Sequence, residues 1–175
     1  IIEVTAFANI PQVTQIDNFI IASTGDYWLK SDNKGYFKYN PLTNNLTAYP
    51  NINNYKGMGS KQPMMEDRKN QIWFTGLGGN ITLLHTATEK LSTFTINTNA
   101  AKKIPEFAIV TALYEDKSGI YWLGTVDGFV NVQLAKTPDA EPQIKWFYTN
   151  SNPNSLNYNH VSCFLDDPSN PNHLW

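Results

Sequence analysis

Hydrophobic and polar positions alternate along this chain in short bursts, and turn-forming residues separate the bursts. The clearest run begins at Val110-Thr111-Ala112-Leu113-Tyr114, whose period of two predicts a half-buried strand. Glu115-Asp116-Lys117-Ser118-Gly119 then supplies a turn, with Asp suited to cap its own loop and Gly free to take positive φ. Tyr121 to Thr125 predicts a second strand, Val126-Asp127-Gly128 a second turn, and Phe129 to Leu134 a third strand. After a polar, Pro-punctuated loop, Ile144-Lys145-Trp146-Phe147-Tyr148 completes a set of four.

The same order precedes it. One unit predicts strands at Pro63 to Met65, Ile72 to Thr75, Ile81 to Leu84 and Leu91 to Phe94, with Gly78-Gly79 as its second turn. An earlier unit predicts Phe19 to Ala22, Tyr27 to Leu29, Tyr36 to Tyr39 and Leu46 to Tyr49. A last unit supplies one strand, Val161 to Leu165, and the start of another at His173-Leu174-Trp175. Residues 1–16 are strand-like, whereas the longest helix-friendly stretch, Asn99 to Lys103, stops short of Pro105 after barely a turn.

Trp28, Trp73, Trp122 and Trp175 recur at intervals of 45, 49 and 53 residues, each on the second strand of its unit. That period is expected of four-stranded propeller blades. The predicted fold is therefore all-β, a β-propeller fragment of about three antiparallel blades plus part of a fourth. The blades fall at 19–60, 61–109, 110–160 and 161–175, with 1–18 as a lead-in strand or the end of an upstream blade. The chain opens on Ile1-Ile2 and stops at Trp175 inside a repeat, which suggests a piece of a larger protein. Three blades do not close a ring, so open blade faces are expected to associate.

Composition narrows the function classes. Charged residues are 16% of the 175 and the net charge is −2, which favours neither nucleic acid nor an anionic membrane. Asn, Thr and Ser supply much of the polarity, which suits neutral polar ligands such as sugars and is also ordinary turn chemistry. The lone Cys163 excludes an internal disulfide, and its strand-like setting predicts a buried, inert thiol. No apolar run is long enough to span a bilayer.

The acid-Asp pairs Glu66-Asp67, Glu115-Asp116 and Asp166-Asp167 invite a reading as paired catalytic carboxylates. Neighbouring strand residues point to opposite faces, however, and the pairs recur at equivalent places. Asp67, Asp116 and Asp167, with Gly119 and Gly128, are instead expected to hold turns. A sialidase Asp-box would put Gly two residues after Asp, and Gly119 lies three after Asp116; Arg68 is the sole arginine, so no arginine cluster exists. The four repeat tryptophans are expected to fill the wedges between blades, where burying such a ring contributes about 2–3 kcal/mol. Trp146 lies off the repeat and is the ligand-stacking candidate, with outer-strand packing as the alternative. His85, His160 and His173 lack metal-ligand spacing, and Gly76-Leu77-Gly78-Gly79-Asn80 lacks the Lys-Ser/Thr of a phosphate loop. Neither catalytic nor metal-binding residues are expected, nor a cofactor.

The strings at 113–125, 35–43 and 154–167 resemble the two-component regulator propeller repeat. Lys30-Ser31 departs from the Thr75-Gly76 and Gly124-Thr125 of later units, and Pro168 to Pro171 lengthens the last turn. The resemblance implies a periplasmic sensor segment of a hybrid two-component histidine kinase of gut Bacteroidetes, anchored in the inner membrane. Such sensors are associated with oligosaccharides released from polysaccharides. The implied partners are a small-molecule or oligosaccharide ligand, the remaining blades of the same protein, and a second copy in a homodimer. Kinase chemistry would lie outside this segment, and no nucleic acid is expected on it. The alternatives are a protein-interaction propeller of a secreted protein and a propeller lyase or glycosidase.

Overall fold

The computed structural model describes residues 15–31, 34–52, 62–97, 109–137, 140–170 and 173–175. These form three four-stranded antiparallel sheets with almost no helix. The first sheet runs β1 (Asn18–Ile21), β2 (Tyr27–Ser31), β3 (Gly35–Asn40) and β4 (Asn45–Tyr49), each strand paired with its chain neighbour. The second runs β5 (Met64–Glu66), β6 (Gln71–Thr75), β7 (Asn80–His85) and β8 (Lys90–Thr95), with a 3₁₀ turn at Leu77–Gly79. The third runs β9 (Val110–Glu115), β10 (Tyr121–Thr125), β11 (Gly128–Gln133) and β12 (Gln143–Phe147). Strands therefore occur where alternation and turn residues predicted them. The expectations within residues 1–14 and at 99–103 lie outside the described residues.

The three sheets are blades of a propeller. Their first strands run closest together, with β5 beside both β1 and β9. The second strands, β2, β6 and β10, are buried on both faces, and their period of two sends alternate residues into different seams. Ile72 and Phe74 pack with Trp28, Tyr36 and Ile52 in the seam between blades one and two. Trp73, one residue out of phase, faces the other way and packs with Tyr121, Leu123, Val130 and Val132 between blades two and three. A single residue of slip would exchange these sets and empty both seams.

Turns follow from backbone demands. Gly78 and Gly79 take φ of 64° and 75° in the β6–β7 connection. Gly128 takes φ of 119° where β11 begins, and a Cβ there would run into the carbonyl oxygen of Phe147 on β12. Non-glycine residues Asn44, Asn70 and Glu89 also adopt positive φ, each within a hairpin turn.

The last unit departs from expectation. Val161 to Phe164 forms no strand; pairing starts only at Leu165, which exchanges backbone bonds with Trp175, followed by the bridge between Asp166 and Leu174. Val161 instead docks on blade three, donating its N–H to the Thr125 carbonyl at 3.0 Å and accepting from the Thr111 hydroxyl. Without a strand alongside, Cys163 is exposed rather than buried.

Candidate functional site

The acid pairs divide their work between two blades. Asp67 Oδ1 accepts the N–H groups of Lys69 and Gln71 at 2.9 and 2.8 Å, closing the β5–β6 turn. Its Oδ2 accepts the Trp73 indole N–H at 3.0 Å and, from the next blade, the Tyr121 hydroxyl at 2.9 Å. Asp116 repeats the device: Oδ1 accepts Ser118 and Ile120 N–H groups, and Oδ2 accepts the Trp122 indole at 2.8 Å. Asp167 Oδ1 likewise accepts Ser169 N–H and hydroxyl, while its Oδ2 lies 3.5 Å from His173 Nδ1. The first acid of each pair turns back to the preceding blade. Glu66 accepts the Ser23 N–H and hydroxyl, Glu115 accepts the Arg68 N–H and pairs with its guanidinium, and Asp166 pairs with Lys117. Opposite faces of one strand thus serve opposite neighbours, and the two carboxylates of a pair do not converge.

Electrostatics follow from these contacts. Partial burial tends to raise the Asp116 carboxyl, but the bonds from Ser118, Trp122 and Ile120 outweigh it and hold the group below its usual range. Asp167 is also held low, chiefly by the Ser169 hydroxyl and N–H. Burial, then the neighbouring Asp67 carboxylate, drives the Tyr121 hydroxyl well above its ordinary value. Tyr114 is pushed up to about 12, again by burial first and then by Asp166.

The repeat tryptophans are not equivalent. Trp28 packs edge-on to Phe74 at 5.5 Å, and Trp73 lies 4.2 Å from the Tyr121 ring; both are buried. Trp122 is half-buried, sharing its face with Phe129, Phe147 and Phe164. Trp175, expected to fill a wedge, is 71% exposed. It is tied to Leu165 by backbone bonds alone, and no indole bond to Asp167 occurs among the described residues. The stacking candidate Trp146 is half-buried, packs against the core between blades two and three, and donates its indole N–H to the Ile96 carbonyl of the preceding blade at 2.9 Å. Its polar edge is thus committed to the seam, while part of the ring borders an Asn-rich hollow with Asn150, Asn152 and Asn154.

A polar cleft that sequence reasoning missed opens between blades two and three. Gln71 Nε2 donates to His85 Nδ1 at 2.9 Å, and His85 Nε2 lies 3.0 Å from Ser92 Oγ. An amide nitrogen only donates, so Nδ1 accepts, Nε2 carries the proton, and Ser92 accepts it. Gln71 Oε1 is shut off from solvent and has no partner, a state that costs about 1–3 kcal/mol. The three residues sit on β6, β7 and β8 at the same end of blade two, with the loop after β11 as the facing wall. Their separation in sequence hides the relay; only the antiparallel register, which sets Gln71 opposite His85, assembles it. Among the described residues no group of three His, Cys, Asp or Glu could hold a metal ion, and no helix is long and apolar enough to cross a membrane.

Residues 107–127, spanning β9, the Asp116 turn and β10, match the family model described as two component regulator propeller. The match thus falls on the blade whose Asp116 turn and Trp122 have just been described. The fold is similar to the extracellular domain of the hybrid two component system BT4673 from B. thetaiotaomicron (21% identity, TM-score 0.60, 88% of this chain). It is also similar to PorZ, a surface component of the type-IX secretion system of Porphyromonas gingivalis (19%, 0.65, 92%). A third likeness is the extracellular domain of the hybrid two component system BT3049 from B. thetaiotaomicron (12%, 0.52, 87%). The chain spans 18%, 24% and 24% of those three proteins, respectively. No curated protein matches it in sequence.

Proposed function

We propose that this chain is part of the extracytoplasmic sensing propeller of a hybrid two-component system. The observation that carries the reading is the regulator-propeller match at 107–127, on a chain whose blades resemble the extracellular domains of two such systems. Its carboxylates support it, because their bonds knit turns and seams and leave recognition to the clefts between blades. The ligand class is oligosaccharides from polysaccharide breakdown, the compartment is the periplasm, and the kinase lies elsewhere in an inner-membrane homodimer. A ligand that binds one arrangement of the dimer better than the other shifts its population by that difference in affinity and no more.

The test is autophosphorylation of the full-length protein in membranes, with and without a panel of oligosaccharides. A rise with one glycan and with none of the others supports sensing. A response to no glycan, alongside stable capture of a defined surface protein, supports the second reading. That reading is a protein-interaction propeller, favoured by the likeness to PorZ.

A further inference from the structure

The Gln71–His85–Ser92 relay separates two adjoining hollows at one end of blade two. One of about 280 Å³ and one of about 390 Å³ share Lys69, Gln71, His85 and Ser92 in their walls. Each is a groove close to the size in which small ligands bind, typically about 300–1,000 Å³. Lys69, Lys136 and Glu141 line the first hollow, between blades two and three, and Lys69 and Lys90 line the second, which residues of blade two alone enclose. None of the three lysines forms an ion pair among the described residues. The relay sets direction as well as shape. Ser92 accepts from His85, which leaves its own hydroxyl proton free to donate into the groove. Phe94, held edge-on against Trp73 at 5.9 Å, adds an apolar wall to the first hollow.

The corresponding cleft between blades one and two has the opposite sign. Asp26, Glu66 and Glu89 line it against Lys38 alone. Of these two clefts, the one between blades two and three carries the excess of lysine, on a chain whose net charge is −2.

From this geometry we infer that the groove between blades two and three binds an anionic sugar, one or two rings long. Its carboxylate or sulfate takes Lys69, Lys136 and the Ser92 hydroxyl, a ring face packs on Phe94, and Glu141 accepts a ring hydroxyl. The inference rests on the sensing reading only for its biological use; the binding itself is independent of it.

Calorimetric titration of the full chain with digalacturonate, and with the neutral disaccharide made by reducing its carboxyl groups, tests it. The acidic form binds and the neutral form binds at least about tenfold more weakly, as expected when charge-assisted hydrogen bonds are lost. Lys69→Gln with Lys136→Gln, or Ser92→Ala alone, weakens the acidic sugar while circular dichroism stays unchanged, and Lys34→Gln leaves binding as it was. Equal binding of both disaccharides, absence of binding, unchanged affinity in the variants, or displacement by an equal concentration of inorganic sulfate overturns the inference. Binding without any change in autophosphorylation of the full-length protein leaves the groove standing and overturns the sensor reading instead.

Discussion

Replacing Asp67 by Ala removes one carboxylate and leaves four donors behind. Two of them, the N–H groups of Lys69 and Gln71, lie in a turn that water reaches, so their loss costs little. The other two do not. The Trp73 indole and the Tyr121 hydroxyl belong to side chains exposed by 0% and 1%, and a buried donor left unsatisfied costs about 1–3 kcal/mol. Asp67→Ala should therefore destabilise the chain by about 3–5 kcal/mol, at the upper end for single substitutions. Asp116→Ala makes the internal control: it orphans the half-buried Trp122 indole and no hydroxyl from a neighbouring blade, and should cost about 1–2 kcal/mol. Urea unfolding of both variants, of Tyr121→Phe and of the Asp67→Ala/Tyr121→Phe pair gives the numbers. Because Asp67 and Tyr121 share one bond across the seam, the pair should show a coupling of about 1–2 kcal/mol. Equal costs for Asp67→Ala and Asp116→Ala, with additive effects in the double variant, would refute the idea that this carboxylate ties two blades together.

Three further outcomes are expected. Gly128→Ala combines a φ of 119° with a collision at the Phe147 carbonyl, so it should lower the melting temperature far more than Gly25→Ala, whose φ is 84° but whose Cβ meets nothing. The folded-state pKa of Asp116 is depressed, so its stabilisation is full above the unfolded value near 4 and is lost as pH falls through the folded one. Tyr121 is raised, so its contribution is full below about pH 10 and is lost as pH climbs toward its folded value. Asp116→Asn should flatten the acid limb of a stability profile and Tyr121→Phe the alkaline limb. Cys163 is exposed, so a thiol reagent should label it in the native protein without denaturant; protection until unfolding would contradict its placement.

Much of the fold was legible because its information is local. A strand with one or two buried faces needs a period of two, and a tight turn needs Asp, Asn or Gly at particular positions. Both demands are met within a few residues, as from Leu113 to Thr125. The turn role of Asp116 was legible for the same reason, since Ser118 and Ile120 lie two and four residues away. Val161 to Leu165 shows the limit: its alternation predicts a strand, but a strand also needs a partner, and only Leu165 and the residues after it have one. Cys163 and Trp175 were misjudged with it, because burial depends on what packs against a residue and not on the residue.

By itself the sequence determined four-stranded antiparallel blades, their spacing, and which residues close the turns, because period and turn chemistry are short-range constraints. Tertiary structure alone decided that Asp67 bonds to Tyr121 54 positions away, that Glu115 reaches back to Arg68, and that Gln71, His85 and Ser92 line one groove. The physical reason is that neighbouring blades meet through side chains whose partners are set by stacking and register. Nothing within a single repeat encodes which residue of the next blade will arrive opposite.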